Sequence, residues 1–249
     1  MNWGTVVNCA LAPGALLLLA LPALANSQAR RWIPVVVLVA LADSAATLLP
    51  ILDKHLQLPG AHWNWSGKLI DIAVMGAIAI GLIVSGAFRA RDFGLTLRQA
   101  PGTARALVFM ALPFLLAILV LTATMFGESK PPTAETLQYQ ATLPGLAEEL
   151  VWRGMLLALF DRMFAGRFAL WGAPIGYGAI ATSLVFGLLH GAQFDSKLVL
   201  HTSVLAGLVP GLTGFLLAWL RVRTKSLVFP VLLHNATNVI LEAVPLLLH

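Results

Sequence analysis

Between Arg105 and Glu128 the chain carries no ionisable side chain. That run constrains the fold more than any other feature, because it is long and has none of the strict alternation of a half-buried strand. In hydrocarbon every backbone N–H and C=O must be paired within its own segment, which leaves the α-helix as the conformation for such a stretch. Seven further segments share its character, so helices are expected over about 6–25, 32–52, 69–88, 104–126, 143–163, 171–190, 198–220 and 227–248. Helices of about 20 residues rise through roughly 30 Å, the depth of a bilayer's hydrocarbon core. The 249 residues are 59% hydrophobic and 11% charged, against roughly 45–50% and about 25% in soluble domains. The expected fold is all-α: a polytopic membrane protein of about eight transmembrane helices in one bundle, residues 1–249 forming a single transmembrane domain.

A net charge of +5 and a pI near 9.9 would suit nucleic acid, but the positive residues lie in short loops, where topology explains them. The loops after segments one, three, five and seven hold two (Arg30, Arg31), four (Arg89, Arg91, Arg98, Arg105), two (Arg162, Arg167) and three (Arg221, Arg223, Lys225), eleven together. The remaining loops hold Lys54, Lys68, Lys130 and Lys197. The positive-inside rule then puts both termini outside. Segment one contains Pro13 and Gly14 but has no positive region before it, so it reads as a retained helix and not as a signal peptide. The single cysteine, Cys9, can form neither an intramolecular disulfide nor a cysteine metal site, and reads as a small packing or lipid-facing residue. His62-Trp63-Asn64-Trp65 reads as an interfacial belt, with His55 and His62 solvated. In the polar loop 127–139, Thr133 suits a helix N-cap and Glu135 a first turn. His249 is expected to be exposed.

Glu148, Glu149 and Arg153 head the fifth segment, where each charge loses hydration worth several kcal/mol, so they mark a functional site. At about 100° per residue Glu149 and Arg153 are nearly aligned, while Glu148 and Arg153 are splayed by roughly 140°. Arg153 should pair with Glu149, leaving Glu148 free to face a cavity. Phe186 with His190, and His234 with Asn238, also share helix faces at i, i+4 spacing. Asp43 and Asp71 read as hydrogen-bonded structural acids facing the bundle interior, and His201 as structural.

One free carboxylate, two histidines and an amide suit peptide hydrolysis. The carboxylate deprotonates water, a histidine positions it or passes protons, and neutral donors hold the oxyanion. Glu148, His190 and His234 could equally ligate Zn²⁺ with one open position. Acids and histidines within helices also build proton-coupled transporters, although no repeated halves are visible.

The patterns E-E-x-x-x-R at Glu148, Glu149 and Arg153, F-x-x-x-H at Phe186 and His190, and H-x-x-x-N at His234 and Asn238 resemble the CPBP (CAAX protease, ABI, Rce1-like) family of glutamic-type intramembrane proteases. The likeness spans residues 143–238, so residues 143–249 would be the catalytic core and residues 1–127 four N-terminal helices. It implies that Glu148 and His190 activate water, that His234 and Asn238 hold the oxyanion, and that Glu149, Arg153 and Phe186 support them, without a metal. Eukaryotic members act on cytosolic prenylated tails, whereas the loop charges open this site outward. The expected partners are therefore the bilayer and membrane-anchored or exported protein or peptide substrates, with the protein in a bacterial inner membrane. A non-catalytic immunity-type membrane protein is the other reading of the same motifs.

Overall fold

The computed structural model describes residues 3–126 and 131–248; Lys130 and His249 lie outside them. The chain enters on α1 (Trp3–Ala20), which runs through Pro13 and tightens into a 3₁₀ turn, Leu21–Ala25. Asn26 caps the short α2 (Ser27–Arg30), its side-chain oxygen accepting from Gln28 N–H at 2.9 Å. Two long helices follow, α3 (Ile33–Leu52) and α4 (Trp65–Val84). A π-helical turn, Leu107–Ala111, joins α5 (Thr103–Ala106) to α6 (Leu112–Phe126). Thr133 caps α7 (Ala134–Gln140) as expected, accepting from Thr136 N–H at 3.1 Å.

A second π-helical stretch, Leu150–Leu156, joins α8 (Leu143–Glu149) to α9 (Leu157–Met163), so the fifth segment is one rod with the expected ends. Every residue from Glu149 to Phe160 is buried, which makes this rod the axis of the bundle. An antiparallel hairpin, β1 (Arg167–Leu170) with β2 (Ala173–Gly176), leads into α10 (Tyr177–Gly191). A second, β3 (Ala192–Phe194) with β4 (Leu200–Thr202), leads into α11 (Val204–Thr224), and α12 (Val228–Leu248) ends the chain.

Among the described residues five helices are long and apolar enough to cross a membrane: Trp3–Ala25, Ser27–Leu52, Trp65–Val84, Thr103–Thr124 and Val204–Thr224. Tyr177–Gly191 and Val228–Val244 are shorter apolar helices, and the fifth segment is the π-interrupted rod. The protein is an integral membrane protein with a helical bundle, and among the described residues strands are confined to two small hairpins.

Three expected helix starts shift by four residues or more, each for a local reason. The third segment starts at Trp65 because Asn64 caps it, accepting from Gly67 N–H at 3.0 Å. Lys68 is thus a residue of the first turn of α4 and not a loop cation. The sixth starts at Tyr177, since Trp171 (φ 47°) and Gly172 (φ 79°) form the left-handed two-residue turn that right-twisted hairpins favour. The seventh starts at Val204, which puts His201 on exposed β4 and not in a helix.

The arginine-rich connections touch one another. Arg221 donates to Asp92 O at 2.8 Å, Arg162 to Ala87 O at 3.1 Å and Arg223 to Pro101 O at 2.8 Å, joining the connections after the third, fifth and seventh segments. Elsewhere Glu135 accepts from His62 N–H, Trp63 N–H and the Trp65 indole at 2.9, 3.3 and 3.1 Å, and Asn8 exchanges two hydrogen bonds with the Phe194 backbone. Between α10 and α11 glycines set the spacing: a Cβ on Gly187 would stand 2.8 Å from Gly207 O, and one on Gly191 2.7 Å from Gly207 Cα. Small residues four apart on both helices permit this approach where lipid offers no hydrophobic drive for association.

Candidate active site

The start of α8 leaves N–H groups without helical partners. One is satisfied from another helix: Asn235 on α12 accepts from Gly145 N–H at 2.8 Å and donates to Thr142 O at 3.0 Å. A side chain at Gly145 would collide with that amide. The clamp fixes α12 against the turn that carries Glu148 and Glu149.

From there the acids diverge. Glu149, fully buried, accepts from Arg153 Nη1 at 2.8 Å, the pairing that helical spacing predicts. The Arg153 guanidinium, also fully buried, lies 4.6 Å from the centre of the Phe186 ring, a cation–π contact. Gly214 on α11 leaves room for it, since a Cβ there would sit 2.7 Å from Arg153 Nη2. The same Glu149 oxygen is 2.8 Å from His234 Nδ1. A carboxylate only accepts, so Nδ1 carries the proton and Nε2 is the end turned towards Glu148, 3.7 Å from its Oε2.

Glu148 is not the free carboxylate that spacing suggests. Its Oε1 accepts from Lys68 Nζ at 2.8 Å, and both side chains are mostly enclosed. A helix start expected at 69 leaves Lys68 in the loop; Asn64, a good N-cap three residues before Gly67, is the signal in the sequence that places it in the helix. Spacing does not pick out Asn235, which lies one position off the His234–Asn238 face. Asp71 is fully buried with neither carboxylate oxygen hydrogen-bonded among the described residues, and Asp43 is partly buried. Neither makes the expected hydrogen bond with a described residue, yet both lie close enough to Lys68 and Glu148 for their charges to interact.

His190 turns Nδ1 onto Phe186 O at 2.7 Å; a carbonyl only accepts, so Nδ1 donates and Nε2 keeps a lone pair. His190, His234 and Asn238 line one cavity of about 420 Å³, whose walls are otherwise mostly apolar, with Ile118, Val209, Pro210 and Leu241 among them. Asn238 makes no hydrogen bond with a described residue, which leaves its amide available. His201 is elsewhere, exposed, with Nε2 3.1 Å from Asp195. Among the described residues no group of three or more His, Cys, Asp or Glu is arranged to hold a metal ion. The set Glu148, His190 and His234 does not form one as placed, with the Lys68 ammonium on Glu148.

Residues 132–240 match the family model described as type II CAAX prenyl endopeptidase Rce1-like. No curated protein and no solved structure matches the chain. The matched span contains Glu148, Glu149, Arg153, Phe186, His190, His234 and Asn238, whereas Lys68, Asp43 and Asp71 fall before it. Over that span, somewhat under half of its length, the chain carries a domain similar to the Rce1-like CAAX prenyl endopeptidases.

Proposed function

We propose that the protein is an intramembrane endopeptidase in which Glu148 is the general base. The observation that carries this is the gap between Glu148 Oε2 and His234 Nε2. At 3.7 Å it is too long for a direct hydrogen bond and wide enough for both atoms to hold one water. Glu148 takes a proton from that water as its oxygen attacks the peptide carbonyl carbon. His190, its Nδ1 held by Phe186 O and its Nε2 left to accept, takes the second proton of that water and delivers it to the leaving amine nitrogen as the C–N bond breaks, while Glu148 keeps the first. The oxyanion is held by the Asn238 amide and by His234 Nε2 when that nitrogen carries a proton; Glu149 fixes the ring from its other side through Nδ1. Glu149 and Arg153 thus orient His234 much as a buried acid orients the histidine of a catalytic triad.

Lys68 holds Glu148 by one oxygen and leaves the other for chemistry. The chemistry needs no metal ion. The cavity beside His190, His234 and Asn238 receives an apolar part of the substrate. With eleven cations in or beside the connections after segments one, three, five and seven against Lys54, Lys130 and Lys197 in the others, the site opens outward, so the substrates are membrane-anchored or exported proteins or peptides of a bacterial inner membrane.

The test is cleavage of reporter peptides by purified protein, wild type against Glu148→Ala, with metal content measured on the active sample. Loss of about 10²–10⁴-fold in rate is expected for removal of a general base. No cleavage by wild type, combined with solute movement, would instead favour a proton-coupled transporter. A cellular phenotype indifferent to Glu148→Gln would favour an immunity-type partner. Stoichiometric zinc whose removal abolishes activity would replace water activation by Glu148 alone.

A further inference from the structure

On the face where the arginine-rich connections meet, three parts of the chain enclose a second cavity, of about 430 Å³, that shares no residue with the active-site cavity. Arg105 comes from α5, Phe109 and Met110 from the π turn that follows, Trp171 from the tip of the β1–β2 hairpin, and Trp219 and Arg223 from the end of α11. Two guanidinium groups line it, and among the described residues no acidic one does. Arg223 passes between Gly102 and Gly172, both at φ +79°, and directs Nη1 onto Pro101 O at 2.8 Å. Its other N–H groups meet no acceptor among the described residues. Arg105 forms no hydrogen bond or ion pair with a described residue, and its guanidinium lies 5.7 Å from the Phe109 ring. Two like charges brought to one cavity without a counter-ion repel each other, so the arrangement calls for an anion.

We propose that this cavity binds the phosphate of an anionic phospholipid. Guanidinium donors in a planar fork match phosphate oxygens. The rest of the wall fits a lipid better than a free ion. Trp171 is 70% exposed, at a backbone angle that a bulky residue seldom adopts, which presents its indole at headgroup level. Phe109, 66% exposed, continues the cavity onto the outer apolar surface of the helix, where an acyl chain lies. By loop charge this is the cytoplasmic leaflet, the one whose anionic lipids attract basic segments.

The experiment uses the full-length protein reconstituted in equimolar phosphatidylcholine and phosphatidylglycerol, extracted gently, with the retained lipids counted by mass spectrometry. Wild type is expected to retain phosphatidylglycerol in excess over the bulk ratio, and millimolar inorganic phosphate to leave that excess in place. Arg105→Gln, which touches no structural hydrogen bond, lowers the excess about fivefold, and Arg105→Gln with Arg223→Gln lowers it further. Arg98→Gln, on the same face outside the cavity, leaves it unchanged. No excess in wild type, an excess that survives Arg105→Gln, an equal loss in Arg98→Gln, or displacement by inorganic phosphate would each overturn the proposal.

Discussion

Lys68 and Arg153 are both cations placed against the acid pair, yet they do different work. Lys68 grips one oxygen of Glu148 at 2.8 Å, so its removal should disturb where the second oxygen points. Lys68→Met is expected to lower kcat roughly 10²-fold with little change in KM, the scale of effect that a misplacement near 1 Å produces, and Lys68→Arg to restore part of it. Steady-state kinetics on a reporter peptide checks this; a loss confined to KM would contradict it. Arg153 is fully buried against Glu149. Arg153→Met strands a buried carboxylate beside His234 and should cost about 3–5 kcal/mol in reversible detergent unfolding, while adding Glu149→Gln recovers part of that loss. Spacing alone gave the Glu149–Arg153 pair, because i, i+4 contact is a property of one helix. It could not give Lys68–Glu148 or Asn235–Gly145, which join residues 80 and 90 positions apart and exist only once the bundle has packed.

At the scale of elements, α10 and α11 approach through Gly187, Gly191, Gly207 and Gly211. Gly187→Leu forces them apart and is expected to destabilise by about 1–3 kcal/mol, with activity reduced as Phe186 and His190 shift with α10. A thermal-unfolding scan beside the cleavage assay reads both. The β3–β4 hairpin has a separate sensitivity. The Val199 N–H, the His201 ring and the Lys197 N–H hold the Asp195 carboxyl below its ordinary value of 3.8. A lowered carboxyl pKa contributes order above the ordinary value and loses it as pH falls through the lowered one. Protection of the Val199 and Lys197 amides, observed exchange relative to the intrinsic rate, should therefore hold at neutral pH and fall only below about pH 4; loss of protection well above pH 4 would contradict it. Helix positions were legible because a membrane demands long apolar runs. The hairpins were not: Trp171-Gly172 and residues 198–203 are apolar enough to read as helix, and only positive-φ turns and strand pairing reveal otherwise.

For the molecule as a whole, connections rich in arginine touch one another, and Glu135 gathers His62, Trp63 and Trp65; the outward opening of the site rests on the loop charges. A reporter fused at the C-terminus should be active only when it functions outside the cytoplasm; activity confined to the cytoplasm would invert the site and return cytosolic substrates to consideration. The placement of His190, His234 and Asn238 around one cavity was readable from three short motifs, since each sits on its own apolar helix and a bundle brings its polar faces inward. What lies outside the Rce1-like span, Lys68 with Asp43 and Asp71, was readable only as isolated charge. The central claim is that Glu148 activates water to cut proteins at the membrane. The most direct measurement compares new protein termini in membrane and secreted fractions of cells carrying wild type or Glu148→Gln at equal abundance. Termini present with wild type and missing with Glu148→Gln are the predicted result; identical termini in both would contradict it.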